Sequence, residues 1–207
     1  MNSLTMRAAG LHAGQQTRYD MNSPLLSGVL AALEEDARVE VLDLTPANAG
    51  LLEYFARYHC KLYLPACRDA LCQVPAGEPD ELEKIPQILQ RLLPLRAQDG
   101  LDLLLLWDLP NYLHREVLKG LIRHLLPQLS RGAVLHTYIH TRQTMPQQPG
   151  NFTLTADGKV SVDLAGQGTL ASPMYYQELL HKLLDPFRVE RGMLLANGLQ
   201  EYVLRRR

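Results

Sequence analysis

Residues 101–108 read LDLLLLWD, and this stretch decides the fold class of the 207-residue chain. The run is apolar apart from Asp102 and is followed by Leu109-Pro110-Asn111, which ends it. A short, continuous apolar run is typical of a strand in the centre of a parallel sheet, where both faces are covered. The apolar residues of 113–126 then recur at helical spacing, so the sequence predicts a strand followed by an amphipathic helix.

Other β-rich runs and helical patterns alternate on both sides of this stretch. A helix is predicted to start at Ser23-Pro24, and others over residues 51–58, 82–93 and from Ser172-Pro173. Further strands are predicted near residues 39–44, 60–64, 133–141, 187–195 and 199–205. The last two are joined across Asn197-Gly198, a strong hairpin signal. The alternation predicts an α/β fold: a mostly parallel sheet with helices on both faces and an antiparallel C-terminal hairpin.

A second hairpin is predicted as an insertion at about residues 151–165. Apolar and polar residues alternate on either side of Asp157-Gly158, which gives the hairpin one apolar face that needs cover. We expect it to form a lid or a contact surface, most simply in a homodimer; the alternative is a hairpin packed on its own domain. The remaining organisation predicted is an N-terminal arm over residues 1–22 and a single domain over residues 23–207.

The composition excludes several classes of protein. A formal net charge of -1 gives no strong nucleic-acid signal, and the longest apolar run is too short to span a membrane. The first residues lack the basic and apolar parts of a secretion signal. The three cysteines form no CxxC pair, which favours a reduced, cytoplasmic protein without a disulfide framework.

Motifs for other chemistry are weak. His136 and His140 are four residues apart on a predicted strand, about 13 Å, so they cannot share one ion and no metal is expected. No Gly-x-Ser-x-Gly elbow and no phosphate-binding Gly-x-x-x-x-Gly-Lys loop is present. Cys67 and Cys72 are interpreted as core or surface cysteines. The basic end, Arg205-Arg206-Arg207 with Arg188 and Arg191, is either a solvated tail or a docking patch for an acidic partner.

Several stretches together resemble the class I S-adenosylmethionine-dependent methyltransferases. They are residues 41–44, 101–108 with 111–113, 129–135 and 197–204. The resemblance covers about residues 25 to 207. It implies a Rossmann-like methyltransferase fold, whose sheet has its last strand antiparallel, and S-adenosylmethionine as the cofactor.

The chain departs from the pattern of that family at the cofactor loop. The family has acid-x-Gly-x-Gly-x-Gly there, because the backbone passes close to the cofactor. Here the aligned stretch from Asp43 to Ala49 contains no glycine, and Gly50 falls one position late, inside the predicted helix. The second strand also lacks the terminal acid that binds the ribose in the family, and Asp69 lies a few residues beyond.

Five residues remain as candidates for a cofactor site: Asp43, Thr45, Ala47, Asp108 and Tyr112. They follow strand ends, where ligands bind in open parallel sheets. Asp43 could instead cap a turn or a helix, and residues 108–112 distantly resemble the Asp-Pro-Pro-Tyr box of amino-methylating enzymes. No catalytic residue is assigned from the sequence.

Two hypotheses follow. The first is a methyltransferase-fold protein that is catalytically degenerate and acts as a binding or regulatory module, with a protein partner or a second copy of itself. The second is an active methyltransferase with an atypical cofactor loop. The missing glycines and the missing acid favour the first, with weak binding of S-adenosylmethionine or none.

Overall fold

The computed structural model describes residues 17–33, 38–96, 100–164, 166 and 168–207. Most of the predicted N-terminal arm, residues 1–16, lies outside the described residues. The strands are β1 (Thr17–Met21), β2 (Val39–Asp43), β3 (Cys60–Tyr63), β4 (Leu101–Trp107), β5 (Leu129–His140), β6 (Thr144–Pro146), β7 (Asn151–Leu154), β8 (Val160–Leu164), β9 (Thr169–Ala171), β10 (Phe187–Leu194) and β11 (Leu199–Arg206).

Within the described residues, seven α-helices and two short 3-10 helices connect these strands. The α-helices are α1 (Pro24–Ala31), α2 (Ala49–Phe55), α3 (Arg68–Cys72), α4 (Pro79–Leu82), α5 (Ile85–Leu92), α6 (Arg115–Leu125) and α7 (Gln177–Leu183). The 3-10 helices are Leu109–Asn111 and Leu126–Gln128. No helix in the described part of the chain is long and apolar enough to cross a membrane.

Six strands form the central sheet in the order β10-β11-β5-β4-β2-β3. The pairs β2–β3, β2–β4 and β4–β5 are parallel, whereas β11 is antiparallel to both β5 and β10. This confirms the predicted α/β fold with a mostly parallel sheet and an antiparallel C-terminal hairpin.

The apolar run of β4 divides its side chains between two cores. Leu104 and Leu106 pack in a cluster with residues of α5, α6 and α7. Leu103 and Trp107 pack on the other face with residues of α1 and α2. Because side chains alternate along a strand, a run that is apolar apart from Asp102 buries both of its faces, as the sequence predicted.

Three differences between the predicted and the observed element boundaries are the largest. β5 starts at Leu129, before the predicted residue 133, and the helix predicted from Ser172-Pro173 starts only at Gln177. The helix predicted over residues 82–93 is divided between α4 and α5. Pro86 stands in the first turn of α5, the position where proline costs no hydrogen bond, so a new helix begins there.

The inserted hairpin is present as β7 and β8. Its strand β8 also pairs with β1, which makes a three-stranded sheet in the order β1-β8-β7. The apolar face of the hairpin is buried in the same core as Trp107, through Phe152, Leu154, Val160 and Val162. The hairpin therefore lies on its own domain, the alternative arrangement, because β1 supplies a third strand and the end of β4 covers the apolar face.

Candidate functional site

The candidate residues surround the carboxyl ends of β2 and β4, the edge where open parallel sheets bind ligands. Asp43 ends β2, and Asp108 directly follows β4. Thr45 and Ala47 lie in the loop between β2 and α2, and Tyr112 directly follows the 3-10 helix after β4.

Asp43 is fully buried and its carboxylate is satisfied from within the chain. Its Oδ1 accepts hydrogen bonds from the backbone N–H and the hydroxyl of Thr45, both at 2.7 Å. The indole N–H of Trp107 donates to both carboxylate oxygens at 3.0 Å. Burial raises the pKa of Asp43 to about 6, although these hydrogen bonds act in the opposite direction. Asp43 and Thr45 therefore form a closed turn.

Trp107 connects this turn to the inserted hairpin. It has a positive φ of 49°, a strained conformation for a bulky residue, at an irregularity in the β4–β5 register. Its ring stacks on that of Phe152, with centroids 5.0 Å apart and planes 8° apart. Sequence reasoning treated Trp107 only as the end of a strand; its position next to Asp108 as the single tryptophan was the available signal.

The start of α2 is in direct contact with β7. Asn48 caps α2 by accepting from the N–H of Leu51 at 3.0 Å, and its amide donates to the carbonyl oxygen of Phe152, also at 3.0 Å. The hydroxyl of Thr153 donates to Asn48 Oδ1 at 2.5 Å. Ala47, one residue earlier, is exposed.

Gly50 marks the closest approach between α2 and β7. It lies inside the helix, as predicted from the sequence. A Cβ at this position would overlap the hydroxyl of Thr153 and lie 2.7 Å from the carbonyl oxygen of Leu154. The glycine is therefore used for contact with the hairpin.

Asp108 anchors the segment that leads into β7. It is buried, and its Oδ2 accepts from the N–H of Gly150 at 3.0 Å. Arg68 of α3 holds the same segment, donating to the carbonyl oxygen of Gly150 at 3.1 Å and to Asn151 Oδ1 at 2.8 Å. The imidazole of His140 stands 4.0 Å from Asp108.

Tyr112 faces a cavity of about 470 Å³. The cavity lies between α3, the turn after β4 and the segment around β6, and its lining includes Arg68, Cys72 and Gln147. The hydroxyl of Tyr112 is buried and has no hydrogen-bond partner among the described residues. Burial raises the pKa of Tyr112 above its ordinary value, and the charge of Asp108 adds to this. Of the five candidates, only Tyr112 lines this cavity.

The second strand of the parallel sheet, β3, has no acidic residue at its carboxyl end. β3 ends at Tyr63, and the chain reaches α3 through residues 64–67. Asp69 is exposed in α3 and is paired with Arg68 at 2.9 Å.

A buried polar network joins β5, β11 and the start of α1. His136 Nε2 is 3.1 Å from Glu201 Oε1, which also accepts from the hydroxyl of Ser23 at 2.5 Å and from the N–H of Leu26 at 2.8 Å. Glu201 thus caps α1, whose N-cap residue Ser23 makes no side-chain cap of its own. The sequence around Glu201 predicts no role for it, because its partners lie on distant parts of the chain.

The charges of this network follow from its burial. Burial lowers the pKa of His136, which outweighs its contact with Glu201. Burial raises the pKa of Glu201, but the hydrogen bonds with His136 and Ser23 outweigh it, so the net pKa is lowered. A neutral imidazole therefore donates to an ionised carboxylate at neutral pH.

The cysteines and histidines supply neither an activated nucleophile nor a metal centre within the ranges that the structure describes. Burial raises the pKa of Cys60, Cys67 and Cys72 to about 11, so these thiols are protonated at neutral pH. No group of three His, Cys, Asp or Glu side chains among these residues is placed to hold a metal ion.

No protein-family model matches the sequence, and no curated protein sequence does either. Among solved structures, the PH0226 protein from Pyrococcus horikoshii OT3 is similar with a TM-score of 0.50 and 12% identity, over 89% of this chain and 87% of that chain. A 1,6-didemethyltoxoflavin-N1-methyltransferase from Burkholderia thailandensis gives 0.48 and 14%, over 88% and 77%. An S-adenosylmethionine-dependent methyltransferase from Mesorhizobium loti gives 0.46 and 16%, over 86% and 96%.

Similarity at these identities concerns the fold alone. The last strand, β11, is antiparallel to β5 and lies between β5 and β10, which is the feature that the resemblance implied. The chain therefore has the Rossmann-like fold of the class I S-adenosylmethionine-dependent methyltransferases.

Proposed function

We propose that this chain is a catalytically degenerate methyltransferase-like protein that acts as a binding module in the reduced cytoplasm. One observation carries the proposal: β7 lies on the start of α2, where the family places its cofactor loop. Asn48 and Gly50 at the start of α2 are in direct contact with Thr153 of β7.

The first step concerns space. A cofactor lying on the loop after β2 needs a thin backbone, hence the glycines of the family. Here Thr45 and Pro46 add bulk, and the ring of Phe152 is stacked on Trp107 above the end of β4. Moving β7 away from the start of α2 would expose the buried side chains of β7 and separate the rings of Phe152 and Trp107.

The second step concerns polar groups. Asp43 already accepts three donors, two from Thr45 and one from Trp107, and Asp108 is used by Gly150. A ribose would also lack its carboxylate at the end of β3, a loss of about 1.5–3 kcal/mol, or about tenfold or more in affinity. These residues do not fit S-adenosylmethionine, and we derive no methyl-transfer step.

The test is calorimetric titration of the full chain with S-adenosylmethionine and, separately, with S-adenosylhomocysteine. We expect no saturable heat, and no change in the thermal midpoint, at concentrations that saturate a methyltransferase measured alongside. Micromolar binding of either compound, or either compound carried through purification, would overturn the proposal.

The second candidate is an active methyltransferase with an atypical cofactor loop. The cavity of about 470 Å³ beside Tyr112 favours it, since the cavity lies at the carboxyl-end edge and is lined by Tyr112, whose buried hydroxyl has no partner among the described residues. If S-adenosylmethionine does bind, Tyr112→Phe distinguishes binding in the cavity beside Tyr112 from binding at the loop between β2 and α2. Loss of affinity in this variant assigns binding to the cavity, whereas unchanged affinity assigns it to another part of the chain.

A further inference from the structure

The central sheet has one long open edge. β10 is eight residues long, and β11 is the strand that pairs with it in the described part of the chain. The opposite edge strand, β3, has four residues, and one of them is Lys61. Short strands and lysines are common protections of sheet edges, whereas a long edge is a template for pairing with another strand.

The pairing of β10 with β11 shows which backbone groups point outward. The N–H of Leu195 donates to the carbonyl oxygen of Leu199 at 2.8 Å. Hydrogen-bonded and non-hydrogen-bonded pairs alternate along an antiparallel ladder, so Met193 belongs to the next bonded pair. The N–H and C=O groups of Gly192 and Leu194 therefore point away from β11.

The two halves of β10 differ in their protection. The first half contains a register shift between Val189 and Arg191, and ion pairs of Arg188 with Asp185 and of Glu190 with Arg205. Bulges and charges are devices that discourage strand pairing.

The last three residues of β10, Gly192–Leu194, carry no charge and are exposed. Met193 is 40% and Leu194 is 65% exposed. These two side chains lie on opposite faces of the sheet, since Met193 is opposite Glu201 and Leu194 is opposite Gln200. A strand added at this edge would cover apolar surface on both faces.

We propose that Gly192–Leu194 is a dimerisation edge. Two copies of this chain pair through β10, antiparallel about a two-fold axis at Gly192, so that their central sheets become continuous. This surface is distinct from the candidate cofactor site and its function does not depend on whether S-adenosylmethionine binds.

Self-complementarity favours a second copy as the occupant. With Gly192 opposite the partner's Gly192, Arg191 lies opposite the partner's Met193, and no like charges face each other. A two-fold axis at Arg191 would instead place two arginines opposite each other. Glycine also suits the centre of this pair, because a Cβ at position 192 would lie only 2.9 Å from the ring of Tyr202.

The first test is the molecular mass of the full chain across a concentration series, by analytical ultracentrifugation. We expect a concentration-dependent dimer. Leu194→Glu should weaken it at least about tenfold, because residue 194 lies opposite the partner's Glu190 in this register and two like charges would face each other. Leu52→Glu is the matched control, since Leu52 is 51% exposed on α2, away from β10; its dimer should match the wild type.

Hydrogen exchange gives an independent measurement. The amides of Gly192 and Leu194 should become protected as the concentration rises, whereas the amide of Met193, bonded to β11, should be protected throughout. A wild type that is monomeric at every concentration would overturn the proposal. A dimer that Leu194→Glu leaves unchanged would also overturn it.

Discussion

The indole N–H of Trp107 lies 3.0 Å from both carboxylate oxygens of Asp43, so the end of β4 closes over the end of β2. In a parallel sheet these two ends normally border a ligand crevice. Here the same indole stacks on Phe152 of the inserted hairpin. One side chain thus satisfies the buried acid and supports the element that covers it.

Trp107→Phe should destabilise the protein more at neutral than at acidic pH. The folded-state pKa of Asp43, about 6, exceeds its ordinary 3.8, so its contribution to stability is lost as pH rises through this interval. Removing the indole donor raises the pKa of Asp43 further, because it destabilises the ionised carboxylate. We expect a loss of about 1.5–3 kcal/mol at about pH 7.5 and less at about pH 5.

The measurement is urea unfolding followed by circular dichroism, because Trp107 is the single tryptophan and its fluorescence disappears with the substitution. Phe152→Leu is the control: it disturbs the ring stack but leaves the N–H donor. Its loss should be nearly equal at both pH values. An equal loss in Trp107→Phe would show that the hydrogen bond to Asp43 contributes little.

Gly50→Ala should destabilise the packing of the hairpin on α2. The new Cβ would overlap Thr153 and press on the carbonyl oxygen of Leu154, and backbone cannot move aside cheaply. Gly28→Ala is the matched control, because a Cβ there has no neighbour within 4 Å among the described atoms. It should be neutral or stabilise by about 0.5–1 kcal/mol through helix propensity. Thermal unfolding of both variants decides, and equal midpoints would contradict the close contact.

Asp108→Ala should weaken the anchor of the hairpin. It leaves the buried N–H of Gly150 without its acceptor, which costs about 1–3 kcal/mol. Asp108→Asn keeps an oxygen acceptor and should retain most of the stability. Amide exchange at Gly150 reports directly: it should become faster in the alanine variant only. Loss of protection in both variants would indicate that the charge itself is required.

His136→Gln should flatten the fall in stability below neutral pH. The pKa of His136 is lowered by folding, so the unfolded chain binds a proton near 6.5 that the folded chain does not. The contribution of His136 to the free energy of unfolding is therefore fully present above pH 6.5. It falls as the pH decreases, by at most about 1.4 kcal/mol per pH unit.

Glutamine keeps an N–H donor for Glu201 and removes this titration. The free energies of unfolding of the wild type and of His136→Gln are measured between about pH 7.5 and pH 5.5. We expect the two values to converge at the acidic end. Parallel curves would show that His136 does not titrate differently in the folded and unfolded chains. Glu201, whose pKa is lowered, contributes its own loss only at more acidic pH, below its ordinary 4.5.

Local sequence patterns determined the sheet, its parallel strands and both hairpins. The run from Leu101 to Trp107 is typical of a strand buried on both faces, and Asn197-Gly198 and Asp157-Gly158 marked turns by their backbone preferences alone. The missing glycines between Asp43 and Ala49 were equally visible. These features depend on neighbours within a few residues, which the sequence shows directly.

Tertiary structure alone decided what became of the strand ends. Asp43 forms a turn with Thr45, but its other donor, Trp107, lies 64 positions away along the chain. The contacts of Gly50 with Thr153 and of Asp108 with Gly150, and the capping of α1 by Glu201, join segments that come together only when the sheet forms. A carboxylate at a strand end looks the same in sequence whether it faces a ligand or a hairpin, because its partner is set by packing between distant segments.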